Sequence, residues 1–158
     1  APQANFALKY PNDVYALYNG KQSKIAGILV ENDYLGSSLH STIIGIGLNI
    51  AQENFPDSLQ AVSLHMLGIH STPADIITKL YNLIPPLLSE AITYPAITLK
   101  RWEETLNREG KAISILNSGQ TGIAQGLSDD GHLIVALPPF VGETLTITNG
   151  DSVLYDLF

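Results

Sequence analysis

A small set of residues in the first third of the chain could do chemistry together. These are Lys9, Asn12 and Asp13 in KYPND, Lys24, Ala26 and Gly27 in KIAGILVE, and Gly45, Gly47 and Asn49 in IIGIGLNI. Strand side chains alternate between faces, so Gly45, Gly47 and Asn49 share one face and Ile44, Ile46, Leu48 and Ile50 the other. The isoleucine face reads as packed core. The glycine face has two missing side chains and one amide, a pattern that marks close approach of a ligand or of another backbone. The lesser alternative is a neighbouring helix packed over the glycines. Lysine neutralises carboxylate or phosphate as a point charge, and an aspartate can hold Mg²⁺ between phosphates. Taken singly, each lysine is an ordinary solvated residue and PND is good turn chemistry. Brought together around a glycine-lined surface, they suit a polyanion accompanied by a metal ion.

Strict alternation sets a difficulty. It places Lys24 and Ala26 on one face of their strand and Gly27 on the other. Either Lys24 precedes the regular strand, or Gly27 contributes through its backbone, and both readings stay open.

These residues need strands to hold them. NFALKY alternates and stops at Pro11, DVYALY follows, Asn19–Gly20 is a turn signal, and KIAGILVE completes a hairpin. After a turn around Gly36, HSTIIGIGLNI adds another strand, making an antiparallel meander. Residues 51–72 read as irregular, with one short helix near Ala61–Leu67. Ser71-Thr72-Pro73 with Asp75 is a helix start, and Ile76, Leu80, Leu83, Ile84, Leu87, Leu88 and Ala91 continue the helical stripe. Pro85–Pro86 predicts a kink or break. Pro95 opens a second helix to about Leu106, carrying Trp102. Five short β-prone runs then follow in tight succession, which predicts a small antiparallel barrel.

The totals exclude several classes. The 158 residues carry a net charge of −7 with only eight Lys and Arg, which disfavours a nucleic-acid surface. There is no cysteine, hence no disulfide, zinc thiolate or thiol nucleophile, and a cytosolic address is the default. No apolar run approaches the roughly 20 residues of a membrane helix. His40, His65, His70 and His132 lack metal-ligand spacing, and no GxSxG, P-loop or dinucleotide fingerprint occurs. The opening segment has neither an initiator Met nor signal-peptide character and enters a strand almost at once, so an upstream segment is expected.

KYPND (Lys9–Asp13), KIAGILVE (Lys24–Glu31) and IIGIGLNI (Ile43–Ile50), in that order and spacing, resemble the biotin–protein ligases. LKRWEETLN (Leu99–Asn107) followed by GIAQGLSDDGHLIVAL (Gly122–Leu137) is similar to that family's last catalytic helix and its C-terminal SH3-like domain. The resemblance implies an α+β fold. Residues 1–108 would be the C-terminal part of a catalytic domain of the class II aminoacyl-tRNA synthetase and biotin ligase kind, with a mixed, mostly antiparallel sheet. Residues 109–158 would be the SH3-like β domain.

The resemblance also implies ATP, biotin and Mg²⁺ as cofactors and substrates, biotinyl-5′-adenylate as the intermediate, and a lysine of biotin carboxyl carrier protein as acceptor. Lys24 matches the lysine that contacts the biotin carboxylate and the adenylate. Asn12 and Asp13 match positions near phosphates and metal, with Lys9 as a further contributor. Ala26, Gly27, Gly45 and Gly47 match the small-residue ligand wall, and Asn49 a nucleotide-side amide. No helix-turn-helix precedes the motifs, so no repressor role is expected, and a homodimer stays open.

The chain departs from the family at two places. The glycine- and arginine-rich biotin loop, which lies before KYPND in the family, has no counterpart, so these residues alone are expected to be inactive. Asp151 and Tyr155 stand where many members carry Glu and Arg. A non-catalytic carrier-binding module and a lipoate ligase-like enzyme are the competing readings.

Overall fold

The computed structural model describes residues 4–139 and 142–158, the side chain of Asp151 excepted. Its contacts divide the chain into a unit ending at Ile76 and a second running from Ile77 to Leu157. This division falls at residues 76 and 77 and not at the expected boundary of 108 and 109.

The first unit is built on an antiparallel sheet of β1 (Phe6–Lys9), β2 (Asp13–Tyr18), β3 (Lys21–Leu35) and β4 (Ser38–Leu48), neighbouring in chain order. Short connections between alternating runs leave a meander as the simplest pairing. The core lies under one face. Ala16, Ile25, Val62 and Leu64 are buried, with Val14, Ala26, Leu48, Met66, Leu67 and Ile69 packed against them. Residues 61–69 therefore close the sheet from below. The short helix expected at Ala61–Leu67 is absent. Residues 60–62 are instead extended along β3, with Lys24 N–H donating to the Gln60 carbonyl at 2.8 Å and Val62 N–H to the Lys24 carbonyl at 3.0 Å. Only a turn follows, ended by Gly68 at φ 74°.

The isoleucine face of β4 is not packed core, contrary to the alternation argument. Ile44 is 36% exposed and Ile46 37%, while only Leu48 reaches the core cluster. The reason is length. β3 and β4 pair as far as Leu35 and Ser38, beyond the reach of residues 61–69, and Leu29, Val30 and Ile43 on this extension are exposed as well.

Helix α1 (Pro73–Thr93) starts where the cap signal puts it. The Thr72 hydroxyl accepts from Asp75 N–H at 3.2 Å, and the Asp75 carboxylate accepts from Thr72 N–H at 3.0 Å, a reciprocal box that satisfies otherwise orphaned amides. Removing it by Thr72→Ala is expected to cost about 1 kcal/mol, measured by chemical unfolding followed by circular dichroism. Pro85 and Pro86 do not break the helix. The carbonyls they leave unpaired belong to Tyr81 and Asn82, on a helix with no buried residue, where water can satisfy them. The apolar stripe thus marks a helix whose Leu83, Leu87 and Leu88 remain exposed.

In the second unit, α2 (Pro95–Leu106) has proline at its first position and ends on Asn107 in the left-handed region at φ 49°. β5 (Ala112–Ile115), β6 (Thr121–Leu127), β7 (Leu133–Ala136), β8 (Thr144–Ile147) and β9 (Val153–Leu154) form an antiparallel sheet in the order β8-β7-β6-β5-β9. Ile113, Ile115, Ala124, Leu133, Val135, Ile147 and Val153 are buried along it. Gly122 permits close contact of β6 with β7, since a β-carbon there would overlap the Val135 side chain and stand 2.5 Å from the Ala136 carbonyl oxygen. The fold is α+β, with two antiparallel sheets and two α-helices among the described residues. No helix among the described residues is long and apolar enough to cross a membrane.

Candidate functional site

Register across the first sheet assembles the predicted residues. Lys9 lies opposite Asp13, Asp13 opposite Gly27, and Gly27 opposite Gly47, one row across all four strands. Directly paired residues project on the same face, so this row presents a cation, a carboxylate and two bare α-carbons. Gly45, opposite Leu29, continues the face along β4.

The alternation difficulty at Lys24 is removed by a bulge. Val14 pairs with Ala26 but Tyr15 pairs with Lys24, which leaves Ile25 as an extra residue on β3. An extra residue shifts parity by one. Lys24 therefore joins Tyr15, Asp13 and Gly27 on the open face, while Ala26 joins Val14 and Leu48 on the core face. Lys24 Nζ stands 2.6 Å from Asp13 Oδ1, with the lysine side chain 44% exposed and the carboxylate 16%. The pair holds the half-exposed ammonium over the sheet.

Two clefts share this floor. The larger, about 750 Å³, is lined by Lys24, Gly27, Gly47 and Asn49 and walled by Gln52, Phe55, Pro56, Ser58, Leu59 and Gln60. That size suits a small organic ligand. The smaller, about 440 Å³, runs over Asn12, Asp13, Lys24, Gly27, Gly45 and Gly47. A β-carbon on Gly45 or Gly47 would meet only backbone or the Leu29 side chain, at 3.8–3.9 Å.

The other predicted residues sit differently. Asn12 donates its side-chain amide to the Ile28 carbonyl at 2.7 Å and accepts Ile28 N–H on its own carbonyl at 2.9 Å. Asn49 donates to the carbonyls of Val62 at 3.1 Å and Lys24 at 3.4 Å, clipping the end of β4 to the returning segment. Both amides border the clefts while their donors hold backbone. Ala26 borders the larger cleft, but its side chain belongs to the core. Lys9 lines neither cleft and stands opposite Asp13 in the strand pairing. At the C-terminus, Tyr155 lies beneath the Arg108 guanidinium, 5.1 Å from ring centroid to Cζ. The Asp151 side chain lies outside the described residues.

Residues 52–60 are the part of the site that sequence reasoning missed. Their polar, aperiodic composition carries no element signal. For a metal ion, the described residues hold no cluster of three or more His, Asp or Glu. Asp13 offers a single carboxylate. That fits Mg²⁺ held mainly by phosphate oxygens and water, as this ion commonly is.

No family profile matches the chain. It is 31% identical over 147 residues to a biotin–[acetyl-CoA-carboxylase] ligase of Paracoccus denitrificans, covering 87% of this chain and 59% of that protein. It is 30% identical over 136 residues to the bifunctional ligase/repressor BirA of Bacillus subtilis, covering 81% of this chain and 41% of that protein. The structure of the Aquifex aeolicus biotin protein ligase in complex with biotin and ATP superposes with a TM-score of 0.69 at 25% identity, over 94% of this chain and 61% of that one. The likeness to biotin–protein ligases read from the motifs therefore extends over most of the chain. The chain in turn spans about half the length of these curated relatives.

Proposed function

We propose that this chain is a portion of a biotin–protein ligase and carries much of its catalytic surface. In the proposed reaction the biotin carboxylate attacks the α-phosphate of ATP, and pyrophosphate leaves. The amine of a carrier-protein lysine then attacks the mixed anhydride, forming an amide and releasing AMP. The observation that supports this reading best is the sheet row of Lys9, Asp13, Gly27 and Gly47 with Lys24 brought to the same face by the bulge.

Two anions must approach each other in the first step, and a preplaced cation lowers the cost of their crowding. Lys24 has that role, with Asp13 orienting its ammonium when no ligand is bound. Gly45 and Gly47 leave room for the adenylate to lie against the strand, while Ala26 and Gly27 border the larger cleft beside them. Asn12 and Asp13 face the phosphates, and Mg²⁺ bound there would offset their charge. Asn49 shapes the nucleotide side by fixing residues 61–64 against β4, and Phe55 supplies an apolar wall for a planar ring. Lys9 adds positive potential behind Asp13. The acceptor is a biotin carboxyl carrier protein, the β5–β9 sheet is the SH3-like module, and the setting is cytoplasmic.

The test uses the full native polypeptide that contains these residues. It is expected to exchange labelled pyrophosphate into ATP only when biotin is present, and to biotinylate a carrier protein. Exchange supported by lipoate and not by biotin, or no exchange with either, would overturn the proposal.

A further inference from the structure

The three glycines of the site are not equivalent. Beside Gly45 and Gly47 a β-carbon would find only ordinary contacts at 3.8 Å or more. At Gly27 it would stand 2.9 Å from Asp13 Oδ1, 3.2 Å from Lys24 Cε and 3.3 Å from Lys24 Nζ. The space above Gly45 and Gly47 is open, whereas the space above Gly27 is already filled by the ion pair. Gly27 does not adopt the left-handed conformation, so its lack of a side chain answers to that crowding and not to backbone geometry.

We infer that Gly27 is a positioning residue for Lys24: its bare α-carbon is the seat on which the lysine stem folds back to meet Asp13. The bulge at Ile25 turns Lys24 onto the open face, and the missing β-carbon two residues later lets the ammonium lie close to the sheet. A methyl group at this position must displace the carboxylate, the lysine stem, or both. All three contacts are with the far ends of side chains, so the strand can accept the methyl while the pair must move from its place over residue 27. Misplacement of a catalytic group by about 1 Å is enough to cost a large factor in rate. The inference rests on the role proposed above for Lys24. It differs from the view that Gly27 merely leaves room for ligand.

A double-mutant cycle in the full native polypeptide separates the two views. Gly27→Ala is expected to lower biotin-dependent pyrophosphate exchange about 10-fold when Lys24 is present, and by less than about twofold in the Lys24→Ala background. Equal losses in both backgrounds would mean that the methyl obstructs the ligand directly, and no loss in the single variant would mean that the seat is irrelevant. Either result overturns the inference. A crystal structure of Gly27→Ala gives an independent readout. The Lys24 ammonium is expected to move from its place over residue 27, and a pair retained unmoved at 2.6 Å would overturn the inference whatever the activity. Should the unaltered polypeptide show no biotin-dependent exchange, the proposed function fails, and the crystal structure still decides the positioning role.

Discussion

In the full native polypeptide, Lys24→Ala is expected to slow biotin-dependent exchange of pyrophosphate into ATP by about 10²- to 10³-fold, the usual loss when one preorganised charge-stabilising donor is removed. The expectation follows from where the ammonium stands. It is 2.6 Å from Asp13 Oδ1, on the face shared with Gly27 and Gly47, and it lines both clefts. The loss should fall on the chemical step and not on folding. A half-exposed ion pair contributes on the order of 0–1 kcal/mol to stability, and the backbone of Lys24 keeps its bonds to Gln60 and Val62 whatever the side chain. Circular dichroism and the unfolding midpoint should therefore change little. Lys24→Arg retains the charge but replaces a compact ammonium with a broad planar fork, and should restore activity only in part. Undiminished exchange by Lys24→Ala would remove this residue from the reaction.

The largest expected loss of stability is at Arg108, in the second unit. This arginine is 8% exposed. Its guanidinium donates to the carbonyl of Leu106 at 2.6 Å, to that of Leu157 at 3.2 Å, and to that of Asp156, and it lies over the Tyr155 ring. One side chain thus ties the segment after α2 to the C-terminal segment after β9. Arg108→Met keeps much of the apolar stem and removes the guanidinium's donors from these carbonyls. At about 1–3 kcal/mol for an unsatisfied buried group, partly offset because a buried charge is also removed, a net loss of about 2–4 kcal/mol is expected. Trp102, the single tryptophan, lies on α2 in the same unit and reports the transition by fluorescence during denaturant unfolding. A loss below about 0.5 kcal/mol, the level of an ordinary surface substitution, would show that water replaces the guanidinium at no cost. The milder change Arg108→Lys leaves a single ammonium that can satisfy fewer of the carbonyls at once. Its stability should fall between those of the unaltered chain and Arg108→Met.

Much of the architecture was legible in local signals. The strand Asp13–Tyr18, the helix Pro95–Leu106 and the helix start at Pro73 fall where turn residues, prolines and the Thr72–Asp75 pair put them, because caps and turns are satisfied within a few residues of chain. Burial was less legible. The alternation that identified β4 as a strand also suggested that Ile44 and Ile46 were covered, but cover depends on how far residues 61–69 reach beneath the sheet, which is a matter of tertiary geometry.

The site divides in the same way. Residue chemistry and motif order alone determined the pieces: two cations, a carboxylate, an amide and a slim pair of strands, on a chain without the basic patch, cysteines or fingerprints of other functions. Two things belonged to the tertiary structure. One is the bulge at Ile25, which turns Lys24 to the side of Gly27 and Asp13. The other is the return of residues 52–62, which walls the larger cleft with Phe55 and Leu59. Both arise from pairing between segments distant in the chain, where one extra residue reverses the parity of a face and one backbone ladder anchors an otherwise featureless loop.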